Sequence, residues 1–180
     1  MVKPNLNVRT LNRSEIENVR NLDRREIVEQ VYYLDNGQLK LKNEFYDIKT
    51  WKADELERSI EHLYEIYDGH GYILGGFAEG KLIAVSALDS EFFGKNRNYL
   101  QLYFFHVDSR YRGLGFGKKL LNRTIIKAKE LGAKKLYISA TPSQKTINFY
   151  LSMGCELTSE VHPRLFELEP EDIHLQLALQ

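Results

Sequence analysis

Cysteine, net charge and long apolar runs are what this sequence of 180 residues has least of. Its single cysteine, Cys155, cannot form an internal disulfide bond and has no companion for a zinc site, so the sequence excludes a disulfide scaffold and favours a reducing compartment. Because 25 basic residues balance 25 acidic ones, no overall field attracts nucleic acid or an anionic membrane. We therefore expect no metal, no nucleic acid and no membrane among its partners.

Segments that would direct or divide the chain are also missing. No stretch approaches the roughly 18 consecutive apolar residues of a membrane span, and residues 1–5 lack the apolar core of a secretion signal. Only four prolines are present, and no repeat or linker interrupts the sequence. We expect one domain, residues 1–180, in the cytoplasm.

Apolar periodicity and turn residues predict alternating strands and helices. In the first half the predicted elements are a strand at 7–11, a short helix capped by Ser14, a β-hairpin within 27–48 around Asn36-Gly37, a helix at 53–67, and strands at 72–77 and 82–88. In the second half they are a strand at 99–107, a helix with Leu131 on its apolar stripe, a strand at 136–140, a helix capped by Ser143 and closed by Gly154, and an antiparallel pair near 156 and 174–179. This order predicts an α/β (α+β) fold: a mixed, mostly antiparallel central sheet flanked by helices, with an extra N-terminal hairpin.

The strand at 99–107 is apolar on both faces, which is typical of a central strand. Strict alternation places Leu100, Leu102 and Phe104 on one of these faces. A glycine-rich loop at 112–118 follows the strand and precedes a helix.

Three glycines at alternate positions, Gly113, Gly115 and Gly117, predict a phosphate site in this loop. Without Cβ atoms, main-chain N–H groups can converge on one point, and the N-terminus of the next helix adds unpaired donors and the positive end of its dipole. Lys118 and Lys119 stand where that dipole disfavours cations, which an anion between them and the loop would explain. The ordinary alternative is that these lysines are solvated.

Two well-known phosphate motifs do not fit the loop. In the P-loop pattern, Arg112 stands where the first glycine belongs and Lys119 where the hydroxyl belongs. The dinucleotide fingerprint G-x-G-x-x-G requires a glycine at its last position. That position is Lys118 if the pattern starts at Gly113 and Leu120 if it starts at Gly115.

The pattern Arg112-x-x-Gly115-x-Gly117 instead resembles the R/Q-x-x-G-x-G/A coenzyme A loop of the GNAT superfamily, the acyl-CoA-dependent N-acetyltransferases. Downstream, the segment 149–155 (FYLSMGC) resembles the family's F-Y-x-x-x-G-F segment, with Cys155 in place of the usual aromatic residue. Ser143 replaces a frequent asparagine. The resemblance covers residues 72–179 and implies a GNAT-like fold.

Acetyl-CoA is the cosubstrate that the resemblance implies, with no metal. The acetyl group would pass to a primary amine of a small molecule or peptide by direct attack in a ternary complex. The residues implied to bind the coenzyme are Phe105, Val107, Arg112, Gly113, Leu114, Gly115, Gly117, Lys118, Ser143, Asn148 and Tyr150.

Tyr150 aligns with the family's tyrosine near the coenzyme sulfur and is the implied general acid, because a phenol is protonated at neutral pH and can donate to a thiolate. Main-chain N–H groups at 105–107 would polarise the thioester carbonyl. Glu91, at the end of a strand, and His106, beside the carbonyl site, are the candidate bases. Each residue also has an ordinary role: Tyr150 and His106 as core residues, Glu91 as a solvated carboxylate.

Acceptors in this family bind against the N-terminal elements and the loop between the last two strands. Here these are the segment 26–51, which we interpret as an acceptor-side insertion, and the segment 159–172. Aromatic and acidic residues there suit a cationic amine, although they can equally fill the underside of a hairpin or face water. They are Tyr32, Tyr33, Glu44, Tyr46, Asp47, Trp51, Glu160, Glu167, Glu169, Glu171 and Asp172.

Two rival functions stay open at this point. The same fold can serve as a non-catalytic acyl-CoA-binding or sensing module, and a nucleotide-binding protein of another fold would prefer ATP or NAD to coenzyme A. Many family members dimerise through sheet edges or C-terminal strands, so the resemblance also implies a homodimer.

Overall fold

The computed structural model describes residues 4–179, which form nine strands and four α-helices. The elements in chain order are β1 (Asn7–Thr10), a 3₁₀ helix (Arg13–Asn21), β2 (Glu26–Asp35), β3 (Gln38–Ile48), α1 (Ala53–Asp68), β4 (Tyr72–Ala78), β5 (Lys81–Phe93), β6 (Tyr99–Val107), a 3₁₀ turn (Ser109–Tyr111), α2 (Phe116–Glu130), β7 (Lys135–Ala140), α3 (Gln144–Ser152), β8 (Glu156–Leu157), α4 (Pro163–Leu168) and β9 (Ile173–Ala178).

Seven strands form one mixed sheet in the order β1-β4-β5-β6-β7-β9-β8, so the predicted fold class is confirmed. All neighbours are antiparallel except β6 and β7, which are parallel and pair only where residues 99–101 meet residues 135–137. The pairing of β7 with β9, by contrast, continues to Ala140. A gap therefore opens between the C-terminal halves of β6 and β7.

The central strand β6 carries a bulge at Tyr103. Leu102 pairs with Leu88 and Phe104 with Ala87, so Tyr103 is an extra residue in the ladder. Past the bulge the side chains exchange faces, and the expectation that Phe104 shares a face with Leu102 is wrong. Phe104 stacks on Trp51 instead, with ring centroids 6.0 Å apart.

Helices cover the sheet on two faces. The α2/α3 face, as we call it, packs against helices α2 and α3, and the α1 face packs against the first 3₁₀ helix and α1. The buried cluster on the α2/α3 face includes Leu100, Leu102, Leu121, Leu136, Ile138, Ala140, Ile147, Tyr150 and Cys155. The cluster on the α1 face includes Leu11, Ile16, Val19, Ile60, Leu63, Ile66, Ile73, Val85, Ala87 and Phe104. Burial raises the pKa of Cys155 to about 12, so this residue remains a packed thiol.

The predicted hairpin is β2–β3, a separate two-stranded sheet. Its turn residues Asn36 and Gly37 both have positive φ, 50° and 77°, as a type I′ turn requires. The hairpin is attached to the connection between β7 and α3, where the Tyr32 amide donates to the Pro142 carbonyl (2.8 Å) and Lys145 Nζ donates to the Ile27 carbonyl (2.9 Å). Residues 26–48 thereby cross the open end of the gap between β6 and β7.

Replacing Gly37 by alanine is expected to lower the free energy of unfolding by about 1 kcal/mol, because an L-residue is strained at positive φ. A Cβ at this position meets no atom within 4 Å, so backbone conformation alone sets the cost. Urea denaturation measures it. Gly37→Asn is the matched control, since asparagine tolerates this conformation; an equal loss in both variants would contradict the explanation.

Four local expectations are corrected by the structure. Asn12, not Ser14, caps the first 3₁₀ helix through a capping box with Glu15. Leu131 is 39% exposed because α2 ends at Glu130, before the apolar stripe reaches it. Strand β5 continues to residue 93 instead of ending at 88. The segment 159–172, expected to be a loop, contains helix α4, which begins at Pro163. Its six residues are too few to show the apolar repeat from which a helix is predicted.

Candidate active site

The glycine loop presents main-chain donors at the start of α2. Gly113 and Gly115 have φ of 76° and 78°, and Gly115 is the N-cap residue of the helix. Within residues 4–179 no side chain caps this N-terminus, and its first turn holds no acidic residue. The amides of Gly117 and Lys118 in this first turn are therefore open toward an anion, as the sequence predicts for a phosphate site.

Side chains of the loop divide into those that line the cleft and those that hold the loop in place. Lys118 and Gly117 line the cleft. Leu114 packs against an apolar cluster that includes Leu6, and it does not line the cleft. Lys119 Nζ donates to the Leu6 carbonyl, which favours a structural role for this lysine.

Arg112 is held in place by three acceptors, of which the most distant is the Arg25 carbonyl, 3.5 Å from Nη1. Its Nε donates to the Val107 carbonyl (3.0 Å), and its Nη1 contacts Glu26 Oε2 (3.0 Å). The other Glu26 oxygen accepts from Ser143 Oγ at 3.2 Å. Glu26 thus joins the two loops that the sequence predicts to bind the coenzyme. Sequence analysis did not identify Glu26, because it lies more than 80 residues from Arg112 and belongs to no local motif.

Helix α3 places its N-cap and its aromatic residues along the cleft. Ser143 caps the helix as predicted, accepting from the Thr146 amide. Asn148 is exposed, lies outside the cleft lining and accepts a hydrogen bond from the Tyr32 hydroxyl (2.8 Å). Its side chain therefore secures the hairpin, and the structure offers no coenzyme contact for it.

Tyr150 lies on the α2/α3 face, 5% exposed, and lines the cleft. Its ring is 6.2 Å from that of Phe105, which also stacks on Phe149 at 5.6 Å. Within residues 4–179 its hydroxyl has no hydrogen-bond partner. Burial, with a smaller contribution from Cys155, raises the pKa of Tyr150 well above the ordinary phenol value, so the hydroxyl keeps its proton.

The C-terminal half of β6 contributes main-chain groups and His106. Beyond Gln101 the edge toward β7 has no strand partner among residues 4–179, and Phe105 and Val107 line the cleft there. His106 also lines the cleft, its Nε2 3.3 Å from the Asp23 carbonyl. Burial and the charge of Arg112 lower the pKa of His106 to about 4, so this imidazole is neutral near pH 7 and a weak base.

Glu91 is not brought to the site. It is exposed in an irregular part of β5, between the pairs of Leu88 with Leu102 and Phe92 with Leu100, and it does not line the cleft. The strand continues past the position where the sequence predicts its end, which carries Glu91 away from the gap. The geometry gives no support to Glu91 as a base.

These walls enclose one continuous cleft of about 1370 Å³ that passes through the gap between β6 and β7. The basic residues that line it are Arg24, Lys42, Arg112, Lys118 and Lys145, and the acidic residues are Glu26, Glu44, Glu55, Glu171 and Asp172. The loop of α2 bounds one end, and the hairpin and the segment before β9 bound the other.

The predicted acceptor-side residues are only partly assembled around this cleft. Those that line it are Tyr32, Tyr33, Glu44, Tyr46, Trp51, Glu171 and Asp172; those that do not are Asp47, Glu160, Glu167 and Glu169. Trp51 also has a structural role, because its Nε1 donates to the Leu22 carbonyl (2.9 Å) and Arg24 lies over its ring. Both interpretations of this set therefore apply, each to different residues.

Sequence reasoning assigned no separate role to two polar residues at the start of β9. Asp172 accepts a hydrogen bond from Ser139 Oγ (2.8 Å), and burial raises the pKa of Asp172 to about 6. His174 is 5% exposed, and its Nε2 has no partner within residues 4–179. The Tyr137 hydroxyl accepts from the His162 amide (2.9 Å) and shares a hydrogen bond with His174 Nδ1 (2.8 Å). This wall of the cleft thus has unused hydrogen-bonding capacity.

Residues 4–179 contain no cluster of three or more histidine, cysteine, aspartate or glutamate side chains arranged to hold a metal ion. Over the same range, no helix has both the length and the apolar character needed to cross a bilayer.

Comparisons with known proteins agree with this geometry. The sequence profile of the Acetyltransferase (GNAT) family matches residues 36–155. No curated protein matches the chain. Among solved structures, a nourseothricin acetyltransferase superimposes with a TM-score of 0.74 at 17% identity, covering 97% of this chain and 99% of its own.

Two further structures extend the comparison. A Bacillus anthracis protein described as a streptothricin acetyltransferase, in complex with acetyl coenzyme A, has a TM-score of 0.68 at 19% identity and covers 99% of this chain and 100% of its own. The ribosomal-protein-S18-alanine N-acetyltransferase of Escherichia coli has a TM-score of 0.63 at 13% identity, with 98% and 95% covered. At these identities the likeness concerns the fold.

Proposed function

Since this chain belongs to the acetyltransferase (GNAT) family, we propose that it transfers the acetyl group of acetyl-CoA to a primary amine of a small molecule or peptide, by direct attack in a ternary complex. One observation carries the proposal: Gly117 and Lys118, whose amides lie in the first turn of α2, and the Tyr150 side chain line the same cleft. An anion-binding end joined to a buried proton donor suits a phosphate-bearing thioester.

The residues of the cleft fit the coenzyme in three places. The amides at the start of α2, with Gly113 and Gly115, would hold the diphosphate, and Lys118 adds a positive charge there. The unpaired edge of β6 would bind the amide groups of the pantetheine arm as a further strand does. Two solved neighbours, one bound to acetyl coenzyme A and one to coenzyme A, support this assignment.

The chemistry needs a polarised carbonyl and a proton for the departing sulfur. The main-chain N–H groups of Phe105 and Val107 face the free edge of β6, where they can stabilise the negative charge that develops on the thioester oxygen. Tyr150 holds its proton at neutral pH and can deliver it to the thiolate. A non-catalytic binding module would need neither group, and no observation favours that alternative.

Two observations support a primary amine as the acceptor: the side chains that line the cleft and the names of the solved neighbours. Acidic and aromatic side chains on the hairpin and before β9 suit a cationic amine. The neighbours are named for two antibiotics and for the N-terminal alanine of a ribosomal protein, so they include both small molecules and a protein as acceptors.

A thiol-release assay with acetyl-CoA and a panel of amines tests the proposal. The panel consists of streptothricin, spermidine, lysine and a peptide with an N-terminal alanine. We expect thiol release with at least one of them. Calorimetric binding of coenzyme A without release from any amine would support the non-catalytic module, and tighter binding of ATP or NAD than of coenzyme A would contradict the coenzyme assignment.

Replacing Arg112 by alanine is expected to weaken coenzyme A binding by about tenfold, because a hydrogen bond to a charged group contributes about 1.5 kcal/mol or more. The guanidinium is held at the mouth of the loop by the Val107 carbonyl and Glu26. Calorimetry with coenzyme A measures the change. Arg110→Ala is the control, because Arg110 pairs with Asp108 outside the cleft lining; equal losses in both variants would contradict a local role.

A further inference from the structure

Five carboxylates line the cleft, and three of them are already neutralised by a basic side chain. The pairs are Glu26 with Arg112 (3.0 Å), Glu44 with Lys42 (2.6 Å) and Glu55 with Arg24 (2.9 Å). Glu171 is exposed and lies in the field of Lys42. Asp172 is partly buried and makes no ion pair within residues 4–179. A buried carboxylate without a cation is costly, and a cationic ligand would remove that cost.

Asp172 is held at the gap by Ser139. Ile138 and Ala140 pack in the cluster on the α2/α3 face, so Ser139 between them points to the α1 face. Ser139 lies on the part of β7 that no longer pairs with β6, and its Oγ donates to Asp172 Oδ2 at 2.8 Å. The carboxylate therefore faces the gap from the wall that β7 and β9 form.

Asp172 and Tyr150 approach this gap from opposite faces of the sheet. Tyr150 belongs to the buried cluster on the α2/α3 face, whereas Asp172 bonds to a side chain on the α1 face. This arrangement lets the acceptor amine approach the thioester carbonyl from the α1 face while the sulfur lies toward Tyr150. The hairpin brings Glu44 and Tyr46 into the lining of the same cleft, near Glu171.

We propose that Asp172 is the catalytic residue that binds the acceptor ammonium and removes its proton, with Ser139 positioning the carboxylate; this assignment rests on the proposed function. One ammonium proton passes to Asp172, and the free amine nitrogen forms a bond with the acetyl carbon. The carbon–sulfur bond then breaks, the sulfur takes the Tyr150 proton, and water takes the second nitrogen proton and restores the tyrosine. Asp172 returns its proton to water, so one proton is released in each turnover.

His106, the other candidate base in the cleft, fits less well. Its pKa of about 4 makes it a weaker base than Asp172, whose pKa of about 6 lies closer to neutral pH. The groups that face Asp172 are Ser139 from β7, Glu169 and Glu171 from the segment before β9, and His174 on its own strand. Glu169 adds to the rise in the pKa of Asp172 that burial produces, whereas the Ser139 hydrogen bond opposes it; within residues 4–179 no basic side chain does so.

The test is the pH profile of kcat/KM for Asp172→Asn against wild type, with the amine of the panel that wild type acetylates fastest. In wild type, kcat/KM is expected to rise with pH through about 6, as the carboxylate ionises. In Asp172→Asn we expect this limb to disappear and kcat/KM at pH 7.5 to fall by tenfold or more, on the order that loss of a general base produces. The Kd of coenzyme A is expected to stay unchanged.

Two controls separate catalysis from folding. Glu171→Gln removes the adjacent carboxylate of the same cleft and is expected to keep the pH limb. Thermal unfolding is the second control: because the native pKa of Asp172 is above its unfolded value, ionisation costs stability as pH rises toward about 6, and the asparagine variant avoids that cost. Asp172→Asn should therefore unfold at the same temperature as wild type or higher at pH 7.5.

The outcomes are distinct. An unaltered pH limb in Asp172→Asn, while wild type turns over, overturns the base assignment and leaves the proposed function standing. A fall in unfolding temperature or in coenzyme A affinity that accompanies the lost activity also overturns it, because both indicate a structural role. Absence of turnover in wild type with every amine of the panel overturns the proposed function itself, and the base assignment with it.

Discussion

Replacing Tyr150 by phenylalanine is expected to lower kcat by about 10²-fold or more, the range typical of losing a general acid. The hydroxyl lies in the cleft without a partner in residues 4–179, and its pKa is raised by burial, so it is a neutral donor at the working pH. Only the leaving thiolate needs this proton, so the loss should appear in kcat and leave coenzyme A affinity nearly unchanged. Steady-state kinetics together with calorimetry measure both quantities.

A matched control exists in the hairpin. Tyr32→Phe also removes one phenolic hydroxyl beside the cleft, but that hydroxyl bonds to Asn148, and its loss should change kcat by less than about threefold. If Tyr150→Phe retained wild-type kcat, Tyr150 would be a core residue only, as its place among buried side chains would also allow.

Replacing Gly115 by valine is expected to weaken coenzyme A binding by roughly 30-fold or more, equivalent to about 2 kcal/mol. Gly115 has φ of 78°, a conformation that is strained for a β-branched residue. The loop would relax to negative φ, and the amides at the start of α2 would no longer converge with those of the loop on one anion. Calorimetric titration with coenzyme A measures the loss.

Gly117→Ala is the control for this prediction. Gly117 lies inside α2 with negative φ, and a Cβ there would contact the Phe149 ring at 3.4 Å, an ordinary van der Waals distance. The variant should bind coenzyme A within about threefold of wild type, since no strain arises and no donor is lost. Equal loss in both variants would mean that the site tolerates no added carbon, and that the conformation of the loop is not the cause.

The elements that sequence analysis located correctly are those whose signals are local. Asn36-Gly37 sets a turn by its own φ angles. Ser143 caps α3 by accepting from an amide only three residues further along the chain, and the glycine loop is one continuous segment. The wrong face for Phe104 arose where the ladder departs from strict alternation. The bulge at Tyr103 moves Phe104 to the other face of the sheet, and a periodic pattern contains no information about an added residue.

The candidate site follows the same division. The sequence by itself determined the glycine loop at the start of α2 and the place of Tyr150 on α3, because each belongs to a short motif whose geometry its own backbone sets. Only the tertiary structure decided that Glu26 joins Arg112 to Ser143, that Glu91 lies outside the cleft, and that Asp172 meets Ser139 across two strands. The contacts of Glu26 and Asp172 join residues that are 33 to 117 positions apart in the sequence. The position of Glu91 depends on where strand β5 separates from β6. Long-range contacts and strand separation are both properties of packing that no single stretch of sequence contains.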